Sequence, residues 1–307
     1  MDIELSPEQR MLDDTLRTLF ADHAGHARAR ERHGDIDRDI VERLDAGGFL
    51  DVFADAGPIE AVLVAERASE FVAAAPIVAR VLVGPLAGIT DLPPLVGLVR
   101  SPDGLVRYAG WCDAYLVLGD EDASIASADD VEVEPVRSRA AYPMGRVRVR
   151  RGESLGTGSA AALRRAWQVG IAVETGAMAR ATIEFAAGHV TDRVQFGRPI
   201  GSFQAVQHRL ARSYAMAQAT AWLGRRGAWH RDDEYCTAAA AAFACMTARE
   251  TYDNCHQAVG AIGVTTEYGM TEWTMRLLAL QTELGGRRAH ARRVAAARVA
   301  HVERTTS

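Results

Sequence analysis

The sequence contains no lysine: all 35 of its Lys and Arg positions are arginine. Arginine spread along the whole chain cannot mark a site anywhere, so the bias is a compositional habit. Basic excess is also missing, since 40 acidic residues bring the net charge to −5 and the pI to about 6.0. That excludes the electrostatic footprint of a nucleic-acid-binding protein. Cysteine is scarce, and Cys112, Cys236, Cys245 and Cys255 form no Cys-x-x-Cys pair and no ligand spacing with histidine. They are expected to be reduced, buried thiols of a cytosolic protein, with no metal site. No apolar run approaches the ~20 residues that span a bilayer. The start, MDIELSPEQR, is acidic and lacks the apolar core of a signal peptide. Together the absences predict a soluble, cytoplasmic protein. What is abundant is hydrophobic side chain, 48% of 307 residues, enough for buried cores in two or three domains.

In chain order, Ser6-Pro7-Glu8-Gln9 is a helix start, with Ser6 as N-cap, Pro7 at the first helical position and Gln9 closing a capping box. Met11, Leu12, Leu16, Leu19 and Phe20 follow at helical spacing. A second helix is predicted over 37–46, ended by Gly47-Gly48, and more helix over 59–83, broken near Pro76 and stopped by Gly84-Pro85. Residues 95–150 change character. Short β-branched runs at 95–99, 114–118, 131–133 and 147–149 read as strands of a small sheet domain, and Trp111 as a packing residue. Beyond Ser159 the pattern is helical again, with helices predicted at 159–191, 203–230, 235–260, 268–283 and 287–303. Their short loops imply antiparallel neighbours. Trp167, Trp222, Trp229, Phe243 and Trp273 read as core or interface anchors, and the arginines of 287–298 as a solvated or subunit-facing surface. The domains predicted are 1–90 (helical), 91–153 (β) and 154–307 (helix bundle), mostly α with a small β domain.

The organising stretch is Glu174 to Leu210, around Asp192-Arg193-Val194-Gln195-Phe196-Gly197-Arg198-Pro199-Ile200. One helix ends in a charged turn, Gly197 and Pro199 break it, and another starts near Ser202. The turn carries Arg193, a fixed cation able to grip a phosphate through two parallel hydrogen bonds. Gln204 and Gln207 open the next helix with amide groups.

Arg193-x-x-Phe196-Gly197-x-Pro199-Ile200-x-x-Phe203-Gln204-x-Val206-Gln207-His208 resembles the helix junction in the C-terminal domain of the flavin-dependent acyl-CoA dehydrogenases. Gln257-Ala-Val-Gly260-Ala-Ile-Gly263-Val-Thr-Thr-Glu267-Tyr268 is similar to a second segment of that family, in the right order and at about the right distance. The resemblance is strong over 155–284, weaker over 1–90, where Arg43-Leu-Asp-Ala-Gly47-Gly-Phe-Leu50 carries it, and poor over 90–150. It implies an N-terminal helical domain, a reduced middle β domain and a C-terminal antiparallel bundle. It also implies FAD, whose ADP half the family holds with the neighbouring subunit's C-terminal domain. Carried over, Arg193 would face the pyrophosphate, Phe196 would flank the adenosine and Gln204 would sit near the adenine. Gln257, Gly260 and Gly263 would allow backbone approach, and Gln195 falls in the same cofactor-binding set.

The family's base, a Glu in a Tyr-Glu-Gly-Thr segment, would fall nine residues past Arg276, which is Gly285 in Glu283-Leu284-Gly285-Gly286. A minority of members carry it instead on the first long helix, at a slot near Trp167 that has no carboxylate here. Glu174, two helical turns on, reads as a helix-surface or interface residue, as do His208 and His256 or as core. Glu283 remains as the candidate base. The middle domain's flavin-ring loop, of Thr-Glu-Pro-x-x-Gly-Ser type, is absent. The resemblance therefore implies a non-catalytic, FAD-completing subunit, paired with a full-length acyl-CoA dehydrogenase-like subunit in an α2β2 heterotetramer. Its substrate would be an acyl-CoA such as a steroid side-chain thioester. Two alternatives stay open: a self-sufficient acyl-CoA or acyl-carrier-protein dehydrogenase using Glu283, and a flavin-free scaffold or binding protein.

Overall fold

The computed structural model describes residues 4–32, 34–101 and 103–306, and side chains as far as residue 300. Helix α1 (Pro7–His23) begins as the sequence predicts. The Ser6 hydroxyl accepts from the Gln9 N–H at 3.2 Å, and the Gln9 side chain accepts from the Ser6 N–H at 3.0 Å. Leu16 and Phe20 are its buried face. α2 (His26–Glu31), α3 (Arg38–Ala46), α4 (Val52–Asp55) and α5 (Pro58–Glu70) complete the first helical layer. The break predicted near Pro76 comes earlier, at Val72, which takes a left-handed conformation (φ 45°). Gly84-Pro85 does not stop the helical path. A π turn over Ala79–Val83 runs into α6 (Gly84–Leu86). Proline is tolerated in a first helical turn, where its missing N–H would be unpaired anyway. A Cβ at Gly84 would sit 2.2 Å from the Leu92 side chain, so any larger residue there would displace Leu92.

Seven strands follow: β1 (Val96–Val99), β2 (Asp103–Arg107), β3 (Ala114–Leu118), β4 (Asp122–Ser127), β5 (Val131–Val136), β6 (Met144–Val149) and β7 (Glu153–Thr157). They form two sheets. One has the order β1-β3-β4-β7, with β1 and β3 parallel (Val96 opposite Ala114) and the other pairs antiparallel. The second is antiparallel, ordered β2-β6-β5. On β6, Gly145 and Val147 are buried while Arg146 and Arg148 are exposed, the alternation the sequence predicts.

Helix α7 (Ser159–Asp192) is 34 residues long and runs through the whole bundle. A two-stranded hairpin, β8 (Val194–Gln195) and β9 (Arg198–Pro199), separates it from α8 (Gln204–Trp229). α9 (Glu234–Val259), α10 (Thr271–Leu280) and α11 (Gly286–Thr306) follow. Asp233 caps α9, accepting from Tyr235 N–H at 2.8 Å and Cys236 N–H at 3.3 Å. Gly176 of α7 faces Ala221 of α8, and Gly224 of α8 faces Val173 of α7, so the two helices run antiparallel. A Cβ at Gly176 would come within 2.9 Å of the Ala221 backbone nitrogen, which is why small residues line this seam. α10 is shorter than predicted: Gly269 (φ 83°) lies just before its start, and Leu284, Gly285 and Gly286, all with positive φ, turn the chain sharply after it. All four cysteines are buried, and burial pushes the thiols of Cys112, Cys245 and Cys255 up to about 12. Among the described residues no helix is long and apolar enough to cross a membrane.

Candidate functional site

Two regions stand out, at different heights along α7. The first is the end of the bundle where α7 and α9 finish and α8 begins. Asn254 of α9 ties these ends, accepting from Arg209 at 3.3 Å and donating to Ser213 at 2.9 Å. Val190, Leu210, Cys255, Val259 and Met270 pack beneath. On top sits the β8–β9 hairpin. Phe196 (φ 54°) and Gly197 (φ 78°) are its two turn residues, the all-left-handed pair of a type I′ turn. Phe196 is 90% exposed at the tip.

Here the structure gathers all seven residues assigned to the cofactor from sequence. Arg193, Gln195, Phe196, Gln204, Gln257 and Gly260 are exposed. The Arg193 side chain makes no hydrogen bond and no ion pair among the described residues, and Gln195 bonds only to the neighbouring Val194 carbonyl. Gly260 ends α9 at φ 78°. Gly263 is buried instead. Its N–H donates to the Gly260 carbonyl, and a Cβ would meet Met270 at 2.8 Å. Its need for glycine is therefore met inside the chain. His208 is exposed, while His256 bonds Thr274 at 3.0 Å and burial lowers its pKa.

The second region is a cavity of about 410 Å³ between α5, the sheets, α7 and α10. Glu283 faces into it from the tight turn after α10. Its Oε1 lies 2.8 Å from Arg107 Nε, and its Oε2 accepts from Trp167 Nε1 at 2.5 Å. The same Arg107, at the end of β2, donates two bonds to Glu174 of α7, at 2.7 and 3.0 Å. Burial raises the Glu283 pKa, and Glu174 adds to this, while Arg107 and the Trp167 hydrogen bond oppose it. Burial also works against the charge on Arg107, but Glu174 and Glu283 outweigh it and hold the guanidinium firmly protonated. Tyr142 lies under both Arg107 and Arg276, 5.1 and 4.7 Å from ring centroid to guanidinium.

The expectation for Glu174 is corrected here: it is 5% exposed and sits inside this ionic cluster. A signal existed, because Trp167 and Glu174 are seven residues apart and share a helix face. Trp167 is a buried anchor as expected, but its ring N–H is also committed to the carboxylate. Arg107 had no signal, since β2 carries no β-branched run and forms by pairing with β6. Along α7, Arg193 lies nineteen residues beyond Glu174, about 28 Å at ~1.5 Å per residue.

Residues 165–300 match the family model of the acyl-CoA dehydrogenase C-terminal domain. The chain therefore carries an acyl-CoA dehydrogenase C-terminal domain over most of its helix bundle. Among curated members it is 34% identical over 140 residues to the acyl-CoA dehydrogenase FadE34 of Mycobacterium tuberculosis, a match covering 44% of the chain and 20% of that protein. The chain thus spans only a small part of the length of that relative. Two solved structures of the same fold extend the similarity to the whole chain. One is the ChsE4–ChsE5 complex from Mycobacterium tuberculosis (TM-score 0.83, 19% identity, 96% of this chain and 98% of that one). The other is a variant of the steroid acyl-CoA dehydrogenase Tcur3481–Tcur3483 (TM-score 0.84, 20% identity, 96% and 99%). The N-terminal helices and the reduced sheets, where the sequence resemblance is weak or poor, therefore still take the acyl-CoA dehydrogenase arrangement.

Proposed function

We propose that this acyl-CoA dehydrogenase-family chain is the subunit that completes a partner's FAD site and does not itself supply the catalytic base. The observation that carries the reading is the separation of its two candidate regions. The cofactor-type residues are exposed on the bundle end, with Arg193 uncommitted, while the carboxylate candidate Glu283 is bound up in an internal ion cluster with Arg107 and Glu174, and Glu174 lies about 28 Å back along α7 from Arg193. An exposed, unpaired guanidinium fits the pyrophosphate of FAD, with Phe196 and Gln204 beside it for the adenosine. FAD bound there would supply the hydride-accepting chemistry, and this chain's part is to hold its nucleotide end. Glu283 would have to release both Arg107 and Trp167 before it could take a proton from substrate. The partner would be a full-length acyl-CoA dehydrogenase-like subunit, in a mixed α2β2 assembly acting on an acyl-CoA. The likeness to two-chain complexes, one of them a steroid dehydrogenase, favours a steroid side-chain thioester.

The test is flavin absorbance and oligomer mass of the chain purified alone and co-expressed with such a partner. Flavin only in the mixed oligomer is the expected result, and full flavin occupancy of the single chain overturns it. One observation favours a second reading, a self-sufficient dehydrogenase: burial raises the pKa of Glu283, as a general base at neutral pH requires. Unchanged turnover of a Glu283→Gln enzyme would remove that reading.

A further inference from the structure

We infer that helix α2, part of the N-terminal helical layer, sets the loop that carries Gly260 and Gly263, and that Arg30 and His26 are positioning residues of the nucleotide site. The inference rests on the reading of the bundle end as a flavin-nucleotide site and names what holds that site in shape.

The loop between α9 and α10 does little to hold itself. Gly263 N–H donates to the Gly260 carbonyl at 3.0 Å and Thr265 N–H to the Ile262 carbonyl at 3.1 Å, which makes one short turn. Aliphatic side chains give it no anchor, since Ile262 is 46% and Val264 62% exposed. Beyond that turn, the carbonyls of Thr266 and Glu267 accept from one group among the described residues. It is the Arg30 guanidinium, whose Nη1 donates to them at 3.0 and 3.1 Å.

The sequence of α2, His-Ala-Arg-Ala-Arg-Glu, explains how it reaches this loop. His26 and Arg30 are four residues apart and share a helix face, whereas Arg28 lies two positions from each and faces away. Arg28 Nη2 donates to Asp37 at 3.0 Å and Asp39 at 3.2 Å, which ties α2 to the start of α3. The Gly25 N–H donates to the Phe71 carbonyl at 2.9 Å and fixes its beginning. Six residues without a side-chain cap would not persist as an isolated helix, so these contacts make α2 a firm support.

On the other face, the His26 ring packs against Phe185 of α7 and Trp273 of α10, with centroids 5.2 and 5.1 Å apart. Burial lowers the His26 pKa and Arg30 adds to this, so the ring packs uncharged. The fit requires glycine at 269, where φ is 83° and a Cβ would come 2.6 Å from the His26 ring. From Phe185 the ring contacts continue to Tyr268 at 4.9 Å and on to His189 at 5.2 Å. The His189 carbonyl accepts from the Arg193 N–H at 2.9 Å. Helix α2 thus supports both edges of the site, the glycine loop through Arg30 and the end of α7 through the rings.

The experiment compares Arg30→Met, Arg30→Lys and Arg193→Ala in the full-length chain. It reads amide hydrogen exchange at Gly263 and Thr265 in the chain alone and FAD affinity in the mixed oligomer. Arg30→Met keeps the apolar stem and removes the donors. It is expected to speed exchange at these amides about three- to tenfold and weaken FAD by a similar factor, with the urea midpoint unchanged. Arg30→Lys, whose ammonium still donates to carbonyls, should restore most of both. Arg193→Ala should lose FAD with exchange as in wild type. Unchanged exchange in Arg30→Met overturns the inference. So does faster exchange with wild-type FAD affinity while Arg193→Ala loses the flavin. If neither substitution affects FAD, it is the flavin reading that fails, and the nucleotide role of α2 falls with it.

Discussion

The bundle end and the inner cavity use the same side chain in opposite ways. Arg193 is exposed and makes no hydrogen bond or ion pair among the described residues, whereas Arg107 is surrounded by Glu174, Glu283 and Tyr142. An exposed arginine contributes little to its own chain's stability, so its cost and value appear only when something binds. A buried one is the reverse. Removing it strands its partners, and the fold suffers before any function is measured. A site that a chain lends to another molecule should look like the first region, and one it has closed on itself like the second.

The sharpest way to break this comparison is to remove each arginine. Arg107→Ala leaves Glu174 and Glu283 buried without their cation, and urea unfolding is expected to lose about 3–5 kcal/mol. Arg193→Ala is expected to change unfolding by no more than about 0.5 kcal/mol, as surface substitutions do. In the mixed oligomer, however, it should weaken FAD binding by about 1.5–3 kcal/mol, roughly ten- to a hundred-fold. Equal effects of the two substitutions on stability would erase the distinction between the regions.

The same contrast explains what could be read from sequence. The bundle end was legible because its chemistry is local: Gly197 and Pro199 punctuate a turn, and Arg193, Phe196 and Gln204 lie within twelve residues of one another. The helix start at Ser6 and the long helices of the bundle were legible for the same reason, through caps and periodicity. The cavity is assembled from residues 107, 142, 167, 174, 276 and 283, and spacing links only Trp167 to Glu174 and Arg276 to Glu283, never one pair to the other or either to Arg107. Arg107 depends on β2, a strand with Asp103 and Gly104 in it that exists because β6 pairs with it. Glu174 looked like a surface carboxylate because a buried one is intelligible only once its guanidinium is known. Glu283 was found by counting from Arg276, but its surroundings, which turn it from a free base into a tied carboxylate, were not.

Protonation sharpens the comparison further. The pKa of Glu283 is raised in the folded chain, chiefly by burial, so the native state holds this proton more tightly than the unfolded state. The stability this contributes is complete below the ordinary carboxylate value of 4.5 and is lost as the pH rises through the raised folded value. Wild-type stability should therefore carry a downward component over that window, and Glu283→Gln should lack it. Identical pH profiles for the two would mean that Glu283 is not the buried group described here.

The smallest expected effect lies at the hairpin tip and runs in the opposite direction. Phe196 combines a left-handed backbone with a ring 90% in solvent, two features that do nothing for the isolated chain. A bulky residue there costs on the order of 1 kcal/mol, while Asn before Gly is the preferred pair for this turn type. Phe196→Asn is thus expected to raise the unfolding free energy by about 0.5–1 kcal/mol while lowering FAD retention in the mixed oligomer. A gain in stability coupled to a loss of flavin would mean that the tip is shaped for a molecule outside this chain. A loss of stability would mean that the Phe196–Phe203 ring contact, at 6.1 Å, holds the hairpin together and that the tip serves its own fold after all.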